Sequence, residues 1–278
     1  MHFRRLLGAA GAVAITVGVS LGTTAPASAQ ITPPYFSNPG CMYTMAPEYS
    51  PQLWSVTTGS SPVADYAIAN WGSNSYNSGL GGPGKSKSSA DATQITDAEK
   101  AGATIVGYIG TNYGTQATGY TQADIEDQMN QWYDWYGVTN FFLDETPTAT
   151  TYESLYGDLL SYAQQNISVG ATTWLNMGDY PASSSWMSYG SEFGDWESGS
   201  APTAPPSWMI HYQPILFFGV MNDTPDNSTD IAGGVSDVES AHAAIGFVTD
   251  DDTYQTYTSS YWDTFAADAG TPNVHCLS

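Results

Sequence analysis

The chain of 278 residues is strongly acidic: it has 27 Asp and Glu against five Lys and Arg, and a formal net charge of −22 at pH 7. A surface of this charge repels nucleic acid and anionic lipid. Both arginines, Arg4 and Arg5, stand near the start, so no later residue offers a two-point clamp for phosphate or carboxylate groups. We therefore expect a neutral or cationic partner and neither nucleic acid nor a membrane. The alternative is that the acidity serves solubility alone.

Residues 1–29 have the pattern of a secretory signal peptide: a basic start, an apolar run over 6–21, and Ala27-Ser28-Ala29 as a cleavage site. No later segment is long and apolar enough to cross a bilayer. The pattern predicts a secreted, extracellular protein whose residues 30–278 form one monomeric domain. In that domain three lysines against 27 acidic residues give a charge of −24. The only cysteines, Cys41 and Cys276, are expected to form a disulfide in an oxidising compartment.

Further along the chain, segments rich in Val, Ile, Phe and Tyr alternate with longer stretches of helical period. Strands are predicted at 31–37, 63–70, 104–109, 140–144, 169–176, 193–197, 215–220 and 244–249. Helices are predicted at 121–136, 152–165, 237–244 and 257–269. In the first helix the apolar residues Ile125, Met129 and Trp132 share one face, and Thr121 with Asp124 resembles a capping box.

Eight strands in about 250 residues predict an α/β fold, a single (β/α)8 TIM-like barrel. The alternative is a doubly wound open sheet. Its typical phosphate-binding turn is not found, because the glycine-rich stretch GLGGPG at 79–84 lacks the lysine and helix context of such a turn.

Three predicted strands end on carboxylates, which in a barrel places them at the mouth, where active sites lie. The residues are Asp144 and Glu145, then Asp195 and Glu197, then the run Asp250 to Asp252. Neighbouring strand residues point to opposite faces, so Asp144 and Glu145 share a direction only if the strand has already broken. The alternative to a functional role is that each of these carboxylates is a helix cap or a loop charge.

Several carboxylates with little else suit the cleavage of a glycosidic bond, in which one carboxylic acid protonates the leaving oxygen and a carboxylate attacks or activates water. Metal binding is the rival, but the spacing of a calcium loop is missing after Asp250. A serine triad lacks its G-x-S-x-G turn. His211 is the one histidine expected near the mouth, and a surface or core role suits it better. We expect no metal and no organic cofactor.

The segments GATIVGYIGTNYGT (102–115) and DIEDQMNQWYDWYGVTNFFLDE (124–145) resemble the spherulin-4-like (spherulation-specific) family. Further similar segments are NPG at 38–40, GGPG at 81–84, FGDWES at 193–198 and VTDDDTYQTYTSSYW at 248–262. Each motif is weak alone, but together they follow the family's order over most of the chain. One departure is an insertion after the second strand, with Trp71 where the family has proline.

The resemblance implies a TIM-like barrel among glycoside hydrolases that act on galactosamine-containing polymers, such as galactosaminogalactan. It implies catalytic roles for Asp144, Glu145 and Glu197. Residues expected to bind substrate are Tyr108, Tyr113, Asn70, Asn176 and Asp250.

The sequence and the resemblance together favour a secreted, endo-acting glycoside hydrolase whose acid and partner carboxylate are Glu145 and Glu197. A partly deacetylated polymer carries ammonium groups that the acidic chain would attract. Two alternatives stay open: a non-catalytic cell-surface or spore-associated protein that binds polysaccharide, and a metal-dependent deacetylase or hydrolase on the same barrel.

Overall fold

The structure is a computed structural model and describes residues 42–48, 63–72, 80–114, 120–198, 205–251 and 257–270. Within these residues eight parallel strands close into a barrel, in which each strand pairs with the next and the last pairs with the first. The strands are β1 (Tyr43–Glu48), β2 (Tyr66–Ala69), β3 (Thr104–Gly110), β4 (Asn140–Asp144), β5 (Thr172–Asn176), β6 (Glu192–Ser198), β7 (Phe217–Asn222) and β8 (Ile245–Val248). The predicted barrel is confirmed, and the closed strand order rules out an open sheet.

Helices lie between most of the strands. They are α1 (Ser89–Ala101), α2 (Gln122–Tyr136), α3 (Glu153–Tyr162), α4 (Ser228–Ser240) and α5 (Ser259–Ala269). A π-helical turn, Ala163–Ile167, continues α3. Short 3₁₀ turns occupy Asn112–Gly114, Thr150–Tyr152, Ser184–Ser188, Met209–His211 and Pro214–Leu216.

Seven of the predicted strands overlap β2 to β8, and β1 was not among the predictions. The segment 31–37 lies outside the described residues, and the strand that completes the barrel is Tyr43–Glu48. That strand ends on Pro47 and Glu48, both of low strand propensity. Nearly all of its residues are buried, so its place between β2 and β8 outweighs the poor propensity of its last two residues.

Helix α2 forms as predicted, and the apolar face that includes Ile125 and Met129 is buried. At its start the Thr121 N–H donates to Asp124 Oδ2 at 2.7 Å, as in a capping box. Helices α3 and α5 also match their predictions closely. The helix predicted at 237–244 overlaps only the end of the observed helix, because α4 runs over Ser228–Ser240 and the chain then leads into β8. Helix α1 has no counterpart among the predictions, since its only buried residues are Ile95 and Ala98.

Large aromatic side chains fill the barrel. Ring centroids lie 4.8 Å apart for Tyr66 and Trp174, 5.5 Å for Trp174 and Phe218, 5.6 Å for Phe218 and Phe142, and 5.8 Å for Phe142 and Tyr108. Strand β6 leaves room for them with a glycine, because a Cβ on Gly194 would lie 1.9 Å from the Phe218 ring. The barrel is therefore a packed core, and a ligand has access only at its ends.

Helix α2 packs unusually close to β3, which fixes the strand that carries Tyr108. A Cβ on Gly107 would lie 2.7 Å from the Trp132 ring, so only glycine allows this approach. The Trp132 indole N–H then donates to the carbonyl of Tyr108 at 3.0 Å. The backbone of Tyr108 is thus held from outside the barrel while its side chain lies inside.

Candidate active site

Asp144 lies at the carboxyl end of β4, between groups from the two neighbouring strands. The Tyr108 hydroxyl of β3 donates to Asp144 Oδ2, and the Asn176 Nδ2 of β5 donates to Asp144 Oδ1 at 2.6 Å. The barrel register creates this arrangement, because Gly110 pairs with Asp144 and the strand ends of β3, β4 and β5 meet at one level. Three predicted site residues are thus brought together around one carboxylate.

Glu145 follows directly and leaves the strand. Its φ is +57°, a left-handed conformation that is uncommon for a residue other than glycine. The alternation of side chains therefore ends at Asp144, as the sequence requires if both carboxyl groups serve one site.

The carboxyl group of Glu145 is partly enclosed. Its Oε2 is buried and has no hydrogen-bond partner within the described part of the chain, while the Asn112 backbone N–H donates to the carboxylate. Burial raises the pKa of Glu145, the negative charge of Asp144 raises it further, and the Asn112 N–H partly offsets both. Glu145 thus holds its proton more tightly than an ordinary glutamate does, and it lies next to Asp144, whose two oxygens both accept hydrogen bonds.

The turn after β3 faces this pair and is itself left-handed. Asn112, Tyr113 and Gly114 have φ of +51°, +54° and +64°. Such conformations cost free energy and cluster at functional sites. They present the Tyr113 ring to solvent with 56% of its surface exposed, as a sugar-stacking side chain would be.

Asn70 lies beside Tyr108, at the end of β2. Its Oδ1 accepts from the N–H groups of Gly72 at 3.0 Å and Gly82 at 3.1 Å. A Cβ on Gly81 would come within 2.7 Å of both the Tyr108 ring and the Asn70 amide. Glycine at this position therefore lets the backbone at Gly81 approach these two side chains closely.

Two further predicted residues have different surroundings. Glu197 belongs to β6, where it pairs in register with Met221 of β7, and its side chain lies outside the described residues. Asp250 is exposed just after β8, where its charge acts on the buried Tyr261 of α5. Among the described residues no hydrogen bond joins Asp250 to Asp144. The predicted disulfide pair, Cys41 and Cys276, also lies outside the described part of the chain.

The sequence did not indicate the hydroxyl groups beneath Asp144 and Glu145. Thr111 and Thr146 are buried and bind backbone carbonyls of this strand end, and the buried Tyr156 of α3 contacts both. Thr111 begins the stretch TNYG (111–114) within the family-like segment 102–115, which is the sequence signal that could have pointed to it. His211 lies exposed in a 3₁₀ turn and takes no part in this arrangement.

Within the described residues, no three His, Cys, Asp or Glu side chains come together as a metal site would require. None of the helices in that part of the chain is long and apolar enough to span a bilayer.

The molecule is thus a (β/α)8 barrel in which two adjacent carboxyl groups, Asp144 and Glu145, lie at the carboxyl end of a strand and Asp144 is hydrogen-bonded on both oxygens. The model of spherulation-specific family 4 matches residues 76–269, and the chain belongs to this family. A comparison with curated proteins found no match.

Solved structures share the fold. Aspergillus clavatus Sph3, in complex with GalNAc, is 18% identical over 83% of this chain and 98% of its own, with a TM-score of 0.64. A chitinase from Bacteroides thetaiotaomicron is 8% identical over 82% of this chain and 95% of its own, with a TM-score of 0.50. At these identities the likeness concerns the fold alone.

Proposed function

We propose that this protein is a secreted, endo-acting glycoside hydrolase that cleaves polysaccharides containing galactosamine or N-acetylgalactosamine. The observation that carries the proposal is the adjacent pair Asp144 and Glu145 at the barrel mouth, one hydrogen-bonded on both oxygens and the other enclosed with a raised pKa. Membership of spherulation-specific family 4 and the shared fold with GalNAc-bound Sph3 support the class of substrate.

Glu145 is the proposed acid. A general acid must hold its proton near the working pH and release it to the leaving oxygen of the sugar. Burial and the charge of Asp144 both favour the protonated form of Glu145. This is the usual way in which two neighbouring carboxyl groups of a glycosidase acquire different roles.

Glu197 is the proposed partner carboxylate, which attacks the sugar or activates a water. It lies on β6, whereas Glu145 directly follows β4, so the proposed sugar ring binds between the two. Asp144, fixed by Tyr108 and Asn176, tunes Glu145 and orients it toward the bond to be cleaved. Substrate contacts are proposed for Asn70 and Tyr113, together with Tyr108, Asn176 and Asp250.

The test is reducing-end release from α-1,4-linked galactosamine and N-acetylgalactosamine polymers. Wild type is compared with Glu145→Gln, Glu197→Gln and Asp144→Asn. Glu126→Gln, the same chemical change on the outer surface of α2, is the matched control. We expect wild type and the control to cut, and each site variant to lose about 10²-fold to 10⁴-fold in rate while it stays folded.

Other outcomes would change the assignment. If wild type binds these polymers and never cuts them, the protein is a polysaccharide-binding protein on the same barrel. If a chelator abolishes activity, a metal-dependent reaction replaces the carboxylate mechanism. If Glu197→Gln alone retains activity, a different group is the partner of Glu145.

A further inference from the structure

Three consecutive backbone carbonyls at the end of β4 are bound by threonine hydroxyls. Thr146 Oγ1 donates to the Leu143 carbonyl at 2.8 Å. Thr111 Oγ1 lies 2.7 Å from the Asp144 carbonyl and 3.2 Å from that of Glu145. Both threonines are buried, so water does not replace these bonds. The backbone that carries the two carboxyl groups is therefore held at every carbonyl.

Both hydroxyls meet a third one, that of Tyr156 on α3. The Tyr156 hydroxyl lies 2.7 Å from Thr111 Oγ1 and also forms a hydrogen bond with Thr146. A hydroxyl has one hydrogen, and each threonine uses its own for a carbonyl. While both threonines donate to carbonyls, the single hydrogen of the Tyr156 hydroxyl is donated to one threonine at a time. Its side chain is 0% exposed, and burial raises its pKa, so it keeps its proton.

This hydroxyl cluster, Thr111, Thr146 and Tyr156, lies directly beneath the strained residue. Glu145 has a φ of +57°, a conformation that persists only where the surroundings enforce it. Thr111 also donates its backbone N–H to the Asp144 carbonyl at 2.9 Å, which ties the turn after β3 to the end of β4. The next N–H, that of Asn112, binds the Glu145 carboxylate.

We propose that Tyr156 is a positioning residue that acts through Thr111 and Thr146 to hold the Glu145 backbone left-handed and its carboxyl group in the reactive position. The inference rests on the proposed function, since it assigns a support to the proposed acid. It makes α3, an outer helix, part of the catalytic apparatus although it has no contact with substrate.

The variants separate positioning from simple loss of a hydrogen bond. Tyr156→Phe removes only the hydroxyl and keeps the buried ring. Thr111→Val removes the second hydroxyl, and Thr111→Ser restores it. Tyr162→Phe is the matched control, because Tyr162 lies on the same helix and its hydroxyl accepts from Asn130 Nδ2 at 2.8 Å, outside the cluster.

The first readout is kcat and KM on a galactosamine and N-acetylgalactosamine oligomer. We expect Tyr156→Phe and Thr111→Val to lose about 10-fold to 100-fold in kcat with KM changed less than about twofold, since a displacement of about 1 Å is enough for such a loss. Thr111→Ser and Tyr162→Phe should keep the wild-type kcat. If Thr111→Val fails to fold, the kcat of Tyr156→Phe alone tests the positioning proposal.

The second readout needs no activity. The chain has only eight glutamates, so their ¹³C-labelled side-chain carboxyl groups can be followed by NMR during a pH titration, with Glu145 assigned from its absence in Glu145→Gln. We expect the pKa of Glu145 to move toward that of an ordinary glutamate in Tyr156→Phe and Thr111→Val. In Tyr162→Phe the pKa of Glu145 should equal its wild-type value.

The two readouts keep the two proposals apart. If wild type cuts no polymer, the proposed function fails, and the titration still decides on positioning. If the pKa of Glu145 and kcat are both unchanged in Tyr156→Phe and Thr111→Val, the positioning proposal is wrong while the hydrolase assignment stands.

Discussion

Glu145 combines two features that each reduce stability. Its left-handed backbone costs about 1–3 kcal/mol in a residue other than glycine. Its Oε2 is buried without a partner, which penalises the charged form. Neither feature is needed to build a barrel strand, since the strand has already ended at Asp144. A position that retains both costs is best explained by a function of the carboxyl group.

The backbone cost can be measured by comparing two variants that both remove the carboxyl group. Glu145→Gly should be more stable to urea than Glu145→Ala by about 1 kcal/mol, because glycine adopts positive φ without the clash of a Cβ. The same pair at Asp134, exposed on α2, should show the opposite order, since alanine is the better helix former. If the alanine variant were the more stable one at both positions, the backbone of Glu145 would not be strained.

Glu48 is a second buried carboxyl group, at the end of β1. It is 0% exposed, its Oε2 has no partner among the residues that the structure describes, and the Tyr257 hydroxyl donates to its Oε1 at 3.4 Å. Burial raises the pKa of Glu48 well above its ordinary value, and the Tyr257 hydrogen bond offsets this in part. The folded state therefore keeps this proton over a pH range in which the unfolded state releases it.

The consequence is a loss of stability as pH rises. Below the ordinary glutamate pKa of about 4.3, Glu48 is protonated in both states and contributes no pH dependence. Above it the unfolded chain ionises first, so the free energy of unfolding falls until the folded group ionises too. Glu48→Gln removes this effect and should be about 1–3 kcal/mol more stable than wild type at pH 7, and about equally stable at pH 4. Urea unfolding at both pH values tests this, with Glu126→Gln as the control. If Glu48→Gln changed the free energy of unfolding equally at pH 4 and pH 7, the prediction would be contradicted.

Among the elements, the sequence predicts best where a periodic apolar face also carries a recognisable cap. Helix α2 has both, with Thr121 and Asp124 at its start. Helix α4 has the face, Ile231, Val235 and Val238, but Gly233 and Gly234 lower its helix propensity and conceal it. The two glycines differ in their surroundings, and this difference is visible only in the packing of the helix. Gly233 is exposed, whereas a Cβ on Gly234 would lie 2.8 Å from Val248 of β8.

The two glycines should therefore respond to alanine with opposite signs. Gly233→Ala should stabilise the protein by about 0.5–1 kcal/mol, because no atom outside the helix lies within 4 Å of the added methyl and alanine favours the helix. Gly234→Ala should destabilise it by about 1–3 kcal/mol, because α4 must move away from β8. Urea unfolding of both variants beside wild type measures this. Changes of the same sign would mean that the helix can shift on the sheet without cost.

At the scale of the molecule, the barrel rule predicts where the proposed site lies. Strand ends of a parallel barrel meet at one mouth, so a strand that ends on Asp144 indicates the place, and the family resemblance supplies Tyr108 and Asn176 as its neighbours. The supports of the site were not predictable in this way. Thr111 binds backbone carbonyls and Tyr156 binds the Thr111 hydroxyl, and neither the left-handed turn nor the helix that meets it can be inferred from residue type.

The charge of the whole molecule leads to a prediction about its substrate. The chain has 27 acidic residues, and among its few cations Lys100 pairs with Asp97 at 3.1 Å on the surface. A field of one sign concentrates oppositely charged ligands and speeds their association by about 10-fold to 10³-fold at low salt. A partly deacetylated galactosamine polymer carries ammonium groups and should experience this attraction, whereas a fully N-acetylated polymer should not.

We therefore expect kcat/KM for the partly deacetylated polymer to fall about tenfold between about 0.01 M and about 1 M NaCl, because the screening length shortens from about 30 Å to about 3 Å. The fully acetylated polymer of equal length is the control and should change little. Initial rates of reducing-end release at graded salt measure both. An equal salt effect on the two polymers would mean that salt acts on the protein itself, and no effect on either would mean that the acidic surface serves solubility and does not select the substrate.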